Sequence, residues 1–203
     1  RTQSSLLECM SEAAVTVDGH RHVLPKPFFV IATQNPVEFQ GTYPLPEAQL
    51  DRFLLRVKIG YPNGKAEREI LSSQILTHPL NSITSIIKTN DVLRCQELVR
   101  EVHVADTIKD YIVTIVENTR EHDAFAFGCS PRASLSLMRV SQARAAFEGR
   151  SYVIPRDVRE MVLETLSHRV ALRMQARSEW GTAEKVMQSI LDGLPLDQWE
   201  EKK

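Results

Sequence analysis

The sequence predicts an α/β segment followed by an all-α domain. Residues 28–33, FFVIAT, form an apolar run that is typical of a strand buried on both faces of a parallel sheet. Asp18-Gly19 separates two short alternating runs, which is the pattern of a tight β-hairpin. Beyond residue 64 the apolar residues follow the helical period to the end of the chain.

The composition is that of a globular protein of ordinary charge. The 203 residues are 42% hydrophobic and 25% charged, and the formal net charge is -1, which gives no electrostatic support to sequence-independent nucleic-acid binding. The three cysteines lack a CxxC spacing and are expected to be small buried residues in a reducing cytosol. No apolar run approaches the roughly 18 residues of a membrane span. The first residues resemble the inside of a helix, so we expect the chain to begin within a longer cytoplasmic protein.

The first two predicted elements are a helix and a hairpin. Apolar residues over 3–14 share one helical face, and the hairpin follows over 15–24. His20 and His22 would lie on one face of the hairpin. No cysteine or carboxylate with ligand spacing accompanies them, so no metal site is predicted.

The buried strand is predicted to end at a polar residue. Pro36 ends the strand because proline donates no ladder hydrogen bond. Asn35 is therefore expected at the carboxyl end of a central strand, where open α/β sheets bind their ligands. A short helix from Pro46 to about Arg52 and an alternating edge strand over 53–59 would complete a right-handed parallel crossover.

A Gly- and Pro-rich linker is predicted to separate two domains. The boundaries are 1–60 for the α/β part, 61–64 for the linker and 65–203 for the helical part. The predicted helices of the second part are 65–77, one after an N-cap at Asp91, one after Asp106, one from Ser130-Pro131 to near Gly149, 155–166 and 183–192.

Six motifs in one order resemble those of the MoxR family of AAA+ ATPases. They are ATQNP at 32–36, GTYPLPEAQLDRF at 41–53, YP at 61–62, GCSPRAS at 128–134, GRSYVIPRDV at 149–158 and LSHRV at 166–170. The resemblance runs nearly end to end. It implies an incomplete P-loop AAA+ α/β domain with a helical-bundle lid, working as a ring that is usually a hexamer. It also implies ATP hydrolysis, with von Willebrand A-type partners, for chaperone-like remodelling of client proteins or insertion of their cofactors.

The chain contains neither a GxxxxGK[ST] loop nor the acidic magnesium-binding strand of that family. Both are expected upstream of residue 1. ATP and Mg²⁺ would therefore need residues that this chain does not hold, and the chain alone is predicted to be inactive.

The resemblance implies catalytic roles for three residues. Asn35 matches the sensor-1 position, at which an amide at a strand end can hold the attacking water. From the residues alone, an asparagine that serves an Asn-Pro turn is an equally good explanation. Arg52 matches an arginine finger, although an arginine at a helix C-terminus also suits the dipole. Arg132 matches sensor 2. In the first turn of a helix a cation opposes the dipole by roughly 0.3–1 kcal/mol, which favours a nearby anion but is also tolerable on a surface.

Two further pairs have weaker assignments. Tyr61 and Pro62 match the hinge at which the family's adenine ring would lie, and a plain linker is the alternative. His20 and Arg21 match the family's pre-sensor hairpin and are candidate contacts to a client in the ring pore, with a solvated hairpin as the alternative.

Three other arginines and two other function classes complete the prediction. Arg120, Arg150 and Arg169 lie at predicted helix ends and are expected to be structural.

Two other classes of function are alternatives to the ATPase. Residues 65–203 could act as a non-enzymatic helical interaction module, and a DNA-remodelling AAA+ motor is a second alternative that a basic hairpin would favour. Asp18 offsets Arg21 in this hairpin, which counts against DNA.

Overall fold

The computed structural model describes residues 9–10, 12–34, 47–75 and 78–199. The strands are β1 (Ala14–Val17), β2 (His20–Val23), β3 (Phe125–Phe127) and β4 (Ala171–Leu172). The helices are α1 (Glu47–Leu50), α2 (Gly64–Ser73), α3 (Thr89–Glu101), α4 (Asp106–Glu121), α5 (Pro131–Phe147), α6 (Pro155–Leu166), α7 (Met174–Trp180) and α8 (Ala183–Asp192), with 3-10 turns at Pro79–Ser82 and Leu196–Gln198. In the described part of the chain, no helix has the length and apolarity to cross a bilayer.

The predicted hairpin is confirmed. β1 and β2 pair antiparallel, with Ala14 opposite Val23 and Val17 opposite His20. The two turn residues, Asp18 and Gly19, have φ values of 49° and 78°. These positive angles are those of a two-residue turn whose twist matches the flanking strands.

The prediction of a buried strand over 28–33 is wrong for this chain. Phe29 and Ile31 are 77% and 80% exposed, and neither sheet of the described residues includes this run. A parallel strand forms only where neighbouring strands satisfy its backbone N–H and C=O groups. The described residues supply no such neighbour, so the apolar run is left uncovered.

The edge strand predicted over 53–59 is also wrong, and with it the parallel crossover. This segment instead contacts α6 and α8. The Arg56 amide donates to the Glu164 carbonyl over 2.8 Å, and Lys58 Nζ lies 2.6 Å from Glu184 Oε1. Of the crossover, the described residues contain only the helix, α1.

Most of the predicted helices are confirmed, with three differences. α2 ends at Ser73, before the predicted residue 77. α3 begins at Thr89, so Asp91 lies inside it and accepts a hydrogen bond from the Lys88 amide over 2.9 Å instead of being the N-cap. α7 was not predicted, because its seven residues have no apolar stripe long enough to show a period.

Residues 89–199, called the helical domain from here on, share one core. The apolar stripe of α4 is buried, and it packs against α5, α6 and α8. Each fully buried Leu or Ile side chain contributes about 1.5–3 kcal/mol. The central side chains are Ile108, Tyr111, Ile112, Ile115, Leu137, Val158, Val162, Leu166, Val186 and Met187.

A small sheet connects the ends of two helices in this domain. β3 follows α4 and β4 follows α6, and they pair antiparallel with Phe127 opposite Ala171. The Arg173 guanidinium Nε–H donates to the Phe125 carbonyl over 2.9 Å. Because of this pairing, the loop at 128–130 lies beside residues 168–169.

Candidate functional site

The turn that follows α1 places Arg52 at the surface. The amides of Arg52 and Phe53 donate to the carbonyls of Gln49 and Leu50 over 3.2 and 3.0 Å, which closes the helix. The Arg52 side chain is exposed, whereas those of Asp51 and Phe53 on either side are half-buried. The turn therefore presents one residue outward and directs the two beside it to the helical domain.

The Asp51 carboxylate is held by two residues of the helical domain. Arg169 Nη1 donates to Asp51 Oδ1 over 3.2 Å, and the Ser130 hydroxyl lies 3.3 and 3.4 Å from the two carboxylate oxygens. The Arg169 side chain is 1% exposed and that of Asp51 is 25% exposed. Burial lowers the pKa of Arg169, and the Asp51 charge opposes that shift. Because Asp51 is a quarter exposed, removing either partner is expected to cost about 2–3 kcal/mol, less than for a fully buried pair, and the contact still restrains the turn.

The Phe53 carbonyl is bound from the same side. It accepts from Arg169 Nη2 over 2.8 Å and lies 3.0 Å from His168 Nε2. A carbonyl can only accept, so Nε2 carries the proton, and the buried Nδ1 has no partner among the described residues. Burial lowers the pKa of His168, which keeps the ring neutral.

Arg132 lies at the start of α5, next to this contact. Ser130 is the N-cap and Pro131 is the first helical residue, as the sequence predicts. Arg132 follows in the first turn with an exposed side chain. Burial lowers the pKa of Arg169, and the positive charge of Arg132 adds a smaller contribution in the same direction.

The loop before α5 is fixed by hydrogen bonds to α4. The Cys129 amide donates to the Thr119 hydroxyl over 2.9 Å, and Arg120 Nε donates to the Cys129 carbonyl over 2.9 Å. A Cβ on Gly128 would lie 2.5–2.6 Å from backbone atoms of Thr119 and Arg120. Only glycine permits this approach, and it sets where the N-terminus of α5 begins.

Cys129, the cysteine beside this contact, is not a nucleophile. Burial raises the pKa of Cys129 to about 11, so its thiol stays protonated at neutral pH. The prediction that all three are buried is right for Cys129 and wrong for Cys95, which is exposed, while Cys9 is half-buried.

The structure brings together some of the predicted site residues. Arg52 is next to Asp51 in the sequence, and Arg132 follows two residues after Ser130, whose hydroxyl contacts Asp51, while Asn35 lies outside the described residues. Tyr61 is 96% exposed and Pro62 is exposed, so the described part of the chain forms no pocket around them.

The hairpin residues are separate from this site. His20 and His22 are exposed, and Arg21 pairs with Glu12 over 3.0 Å. No group of three or more His, Cys, Asp or Glu side chains in the described ranges could hold a metal ion. The hairpin's role in contacting a client stays a prediction.

The structural role predicted for three arginines is confirmed. Arg120 holds the loop described above, and Arg150 forms a two-pronged contact with the 3%-exposed Asp157 at 2.5 and 2.7 Å. Arg169 does more than was predicted, because it bonds to Asp51 and Phe53. No local signal reveals this, since Arg169 and Asp51 are 118 positions apart.

Comparison with known sequences gives two matches to family profiles. Residues 1–55 match the profile described as the ATPase family associated with various cellular activities (AAA), and residues 117–190 match that of the AAA lid domain. The order of the two matches is that of an α/β domain followed by a helical lid, which confirms the predicted fold class.

Individual relatives match almost the whole chain. It is 47% identical to the uncharacterized protein YeaC of Bacillus subtilis, over 97% of this chain and 61% of YeaC. It is 40% identical to the chaperone MoxR1 of Mycobacterium tuberculosis, over 98% of this chain and 54% of MoxR1. A crystal structure from Cytophaga hutchinsonii, described provisionally as that of an ATPase, superposes with a TM-score of 0.86 at 35% identity, over 96% of this chain and 62% of that one. The chain thus spans between half and two thirds of the length of the proteins it resembles.

Proposed function

Because the chain belongs to the MoxR family of AAA+ ATPases, we propose that it supplies part of an ATP-hydrolysing site shared between the subunits of a ring, usually a hexamer. The observation that best supports this is that Asp51, next to Arg52 in the sequence, contacts Ser130 and Arg169 of the helical domain, in which Ser130 caps the helix that carries Arg132. Hydrolysis would drive chaperone-like remodelling of client proteins or insertion of their cofactors, together with a von Willebrand A-type partner.

Each arginine has a distinct role in this proposal. Both side chains are exposed, and an arginine can donate two parallel hydrogen bonds to phosphate oxygens. Arg52, whose side chain is exposed on the turn after α1, reaches the γ-phosphate bound by the next subunit. Arg132, in the first turn of α5, links bound nucleotide to the position of the helical domain. Whether Arg132 acts within its subunit or across the interface depends on how the ring packs.

The remaining site residues complete the proposal. Asn35 holds the attacking water, and Tyr61 and Pro62 lie beside the adenine ring. ATP with Mg²⁺ supplies the phosphoryl group and neutralises its charge. No described residue is assigned to magnesium, and the relatives extend beyond the region that this chain matches.

Substitution of the two arginines tests this function. The protein is expressed with its upstream residues, up to and including a GxxxxGK[ST] loop, and ATP turnover is measured. Arg52→Ala is expected to lower kcat by about 10³-fold or more with little change in ATP affinity, because a finger acts on the charge of the transition state. Arg132→Ala is expected to lower both kcat and the affinity for ATP. Arg94→Ala, on the exposed face of α3, is the control and should leave turnover unchanged.

Mixing subunits tests whether Arg52 acts across the interface. Subunits with a substituted P-loop lysine cannot hydrolyse ATP but still present Arg52 to a neighbour. Adding them to Arg52→Ala subunits should restore part of the turnover. Full activity of Arg52→Ala alone would contradict the proposed function.

A further inference from the structure

Both neighbours of Arg52 in the sequence are bound by a single buried side chain. Arg169 donates through Nη1 to the Asp51 carboxylate and through Nη2 to the Phe53 carbonyl, over 3.2 and 2.8 Å. The guanidinium group is planar and rigid. It therefore fixes the relative position of these two acceptors, and with them the backbone of the residue between.

Two further groups restrain the same turn. His168 Nε2 lies 3.0 Å from the Phe53 carbonyl, and the Ser130 hydroxyl reaches the Asp51 carboxylate. The side chains that form these contacts are buried or half-buried, whereas that of Arg52 is exposed. They are those of Asp51, Ser130, His168 and Arg169. The arrangement holds the backbone on both sides of Arg52 and leaves its side chain outside.

We propose that Arg169, His168 and Asp51 are positioning residues for Arg52, holding it at the angle from which it reaches the neighbouring subunit's phosphate. We call the contacts of Arg169 with the Asp51 carboxylate and the Phe53 carbonyl, together with that of His168 with the same carbonyl, the clamp. This inference rests on the proposed function, in which Arg52 acts across the interface. It adds that the helical domain, 116 positions further along the chain, sets the finger's geometry.

The clamp predicts a particular kinetic defect. A reacting group displaced by about 1 Å can lower the rate by about 10²-fold. Asp51→Asn keeps one acceptor oxygen and the size of the side chain but removes the charge that Arg169 faces. Arg169→Lys keeps a charge but cannot reach both acceptors at once. Both variants are expected to lower kcat by about 10²-fold while KM for ATP stays within about threefold, because nucleotide binding is untouched.

A variant weakened elsewhere in the helical domain is the stability control. Asp157 lies at the start of α6, about 15 Å along the helix from its other end, where residues 168–169 follow. Asp157→Asn weakens the same domain without touching the clamp. Thermal unfolding of all variants is recorded first, and turnover is compared at a temperature where each is folded. Asp157→Asn should then turn over ATP like the wild type.

Mixed rings distinguish positioning of Arg52 from a general structural role. A clamp variant retains its own P-loop, so an adjacent subunit with a substituted P-loop lysine but an intact Arg52 should restore its turnover, as it does for Arg52→Ala. Loss of kcat that such mixing fails to restore would overturn the inference, and so would wild-type kcat in both clamp variants. If Arg52→Ala itself keeps full activity, the proposed function fails first and the inference fails with it.

Discussion

Replacing Gly128 by alanine adds one methyl group where the backbone has no room for it. The new Cβ would lie 2.5 Å from the Thr119 carbonyl oxygen and 2.6 Å from the Cα and amide nitrogen of Arg120. All three are main-chain atoms of α4, which cannot rotate away as a side chain would. The loop at 128–130 must therefore move off the helix.

The cost has two parts. Forcing an extra carbon into a packed site costs about 1–3 kcal/mol. Moving the loop also strains the hydrogen bonds that join Cys129 to Thr119 and Arg120, each worth about 0.5–1.5 kcal/mol. With partial relaxation we expect Gly128→Ala to lower the free energy of unfolding by about 2–4 kcal/mol.

Chemical denaturation followed by far-UV circular dichroism measures this loss, because most of the described secondary structure is helical. Gly64→Ala is the matched control, since a Cβ there meets nothing within 4 Å and the residue starts α2. It should be neutral or stabilise by up to about 1 kcal/mol. If Gly128→Ala unfolded within about 0.5 kcal/mol of the wild type, the close approach would not be what fixes the start of α5.

Two further predictions concern charged and titrating groups. Asp157→Asn should lower the free energy of unfolding by about 2–3 kcal/mol, less than for a fully buried pair because Arg150 is 23% exposed. Asp106→Asn, which removes a charge from an exposed pair, is the control and should shift the unfolding midpoint little. If both variants lost the same stability, burial would not be what makes the Asp157 pair important. Burial holds the pKa of His168 below its ordinary 6.5, so the unfolded chain takes up the proton first; the stability it contributes is fully present above pH 6.5 and is lost as pH falls below that value. His168→Gln retains a donor for Phe53 without titrating. Below pH 6.5 the wild type should therefore lose stability more steeply than the variant, by at most about 1.4 kcal/mol per pH unit, because the other titrating groups are common to both proteins. Identical pH dependence, measured by denaturation at several pH values, would refute this role of His168.

The features that could be predicted from sequence are those decided by a few adjacent residues. The hairpin follows from Asp18-Gly19, whose residues tolerate positive φ. The start of α5 follows from Ser130-Pro131, and its end from Gly149, which has a φ of 72°. In each case the interactions that determine the structure lie within a few adjacent residues, so the sequence pattern is enough to predict it.

The two strands that were predicted wrongly depend on residues far away. The runs over 28–33 and 53–59 have the right side chains for strands, but a strand acquires its hydrogen bonds from neighbours, and the described residues provide none. The contact between Asp51 and Arg169 was missed for the same reason, since it depends on how β3 and β4 pair and not on any spacing in the sequence.

The same distinction applies to the proposed site, whose geometry would depend on contacts between distant parts of the chain. The helical domain buries its own core, and from that core it presents Arg169 to the turn that carries Arg52. Ser130, in the same domain, is both the N-cap of the helix that carries Arg132 and a partner of Asp51. A movement of the helical domain is therefore expected to displace both arginines together unless the contact between Asp51 and Arg169 breaks. A nucleotide-dependent shift of this domain would then change the geometry at the neighbouring phosphate directly, without a separate mobile element between them.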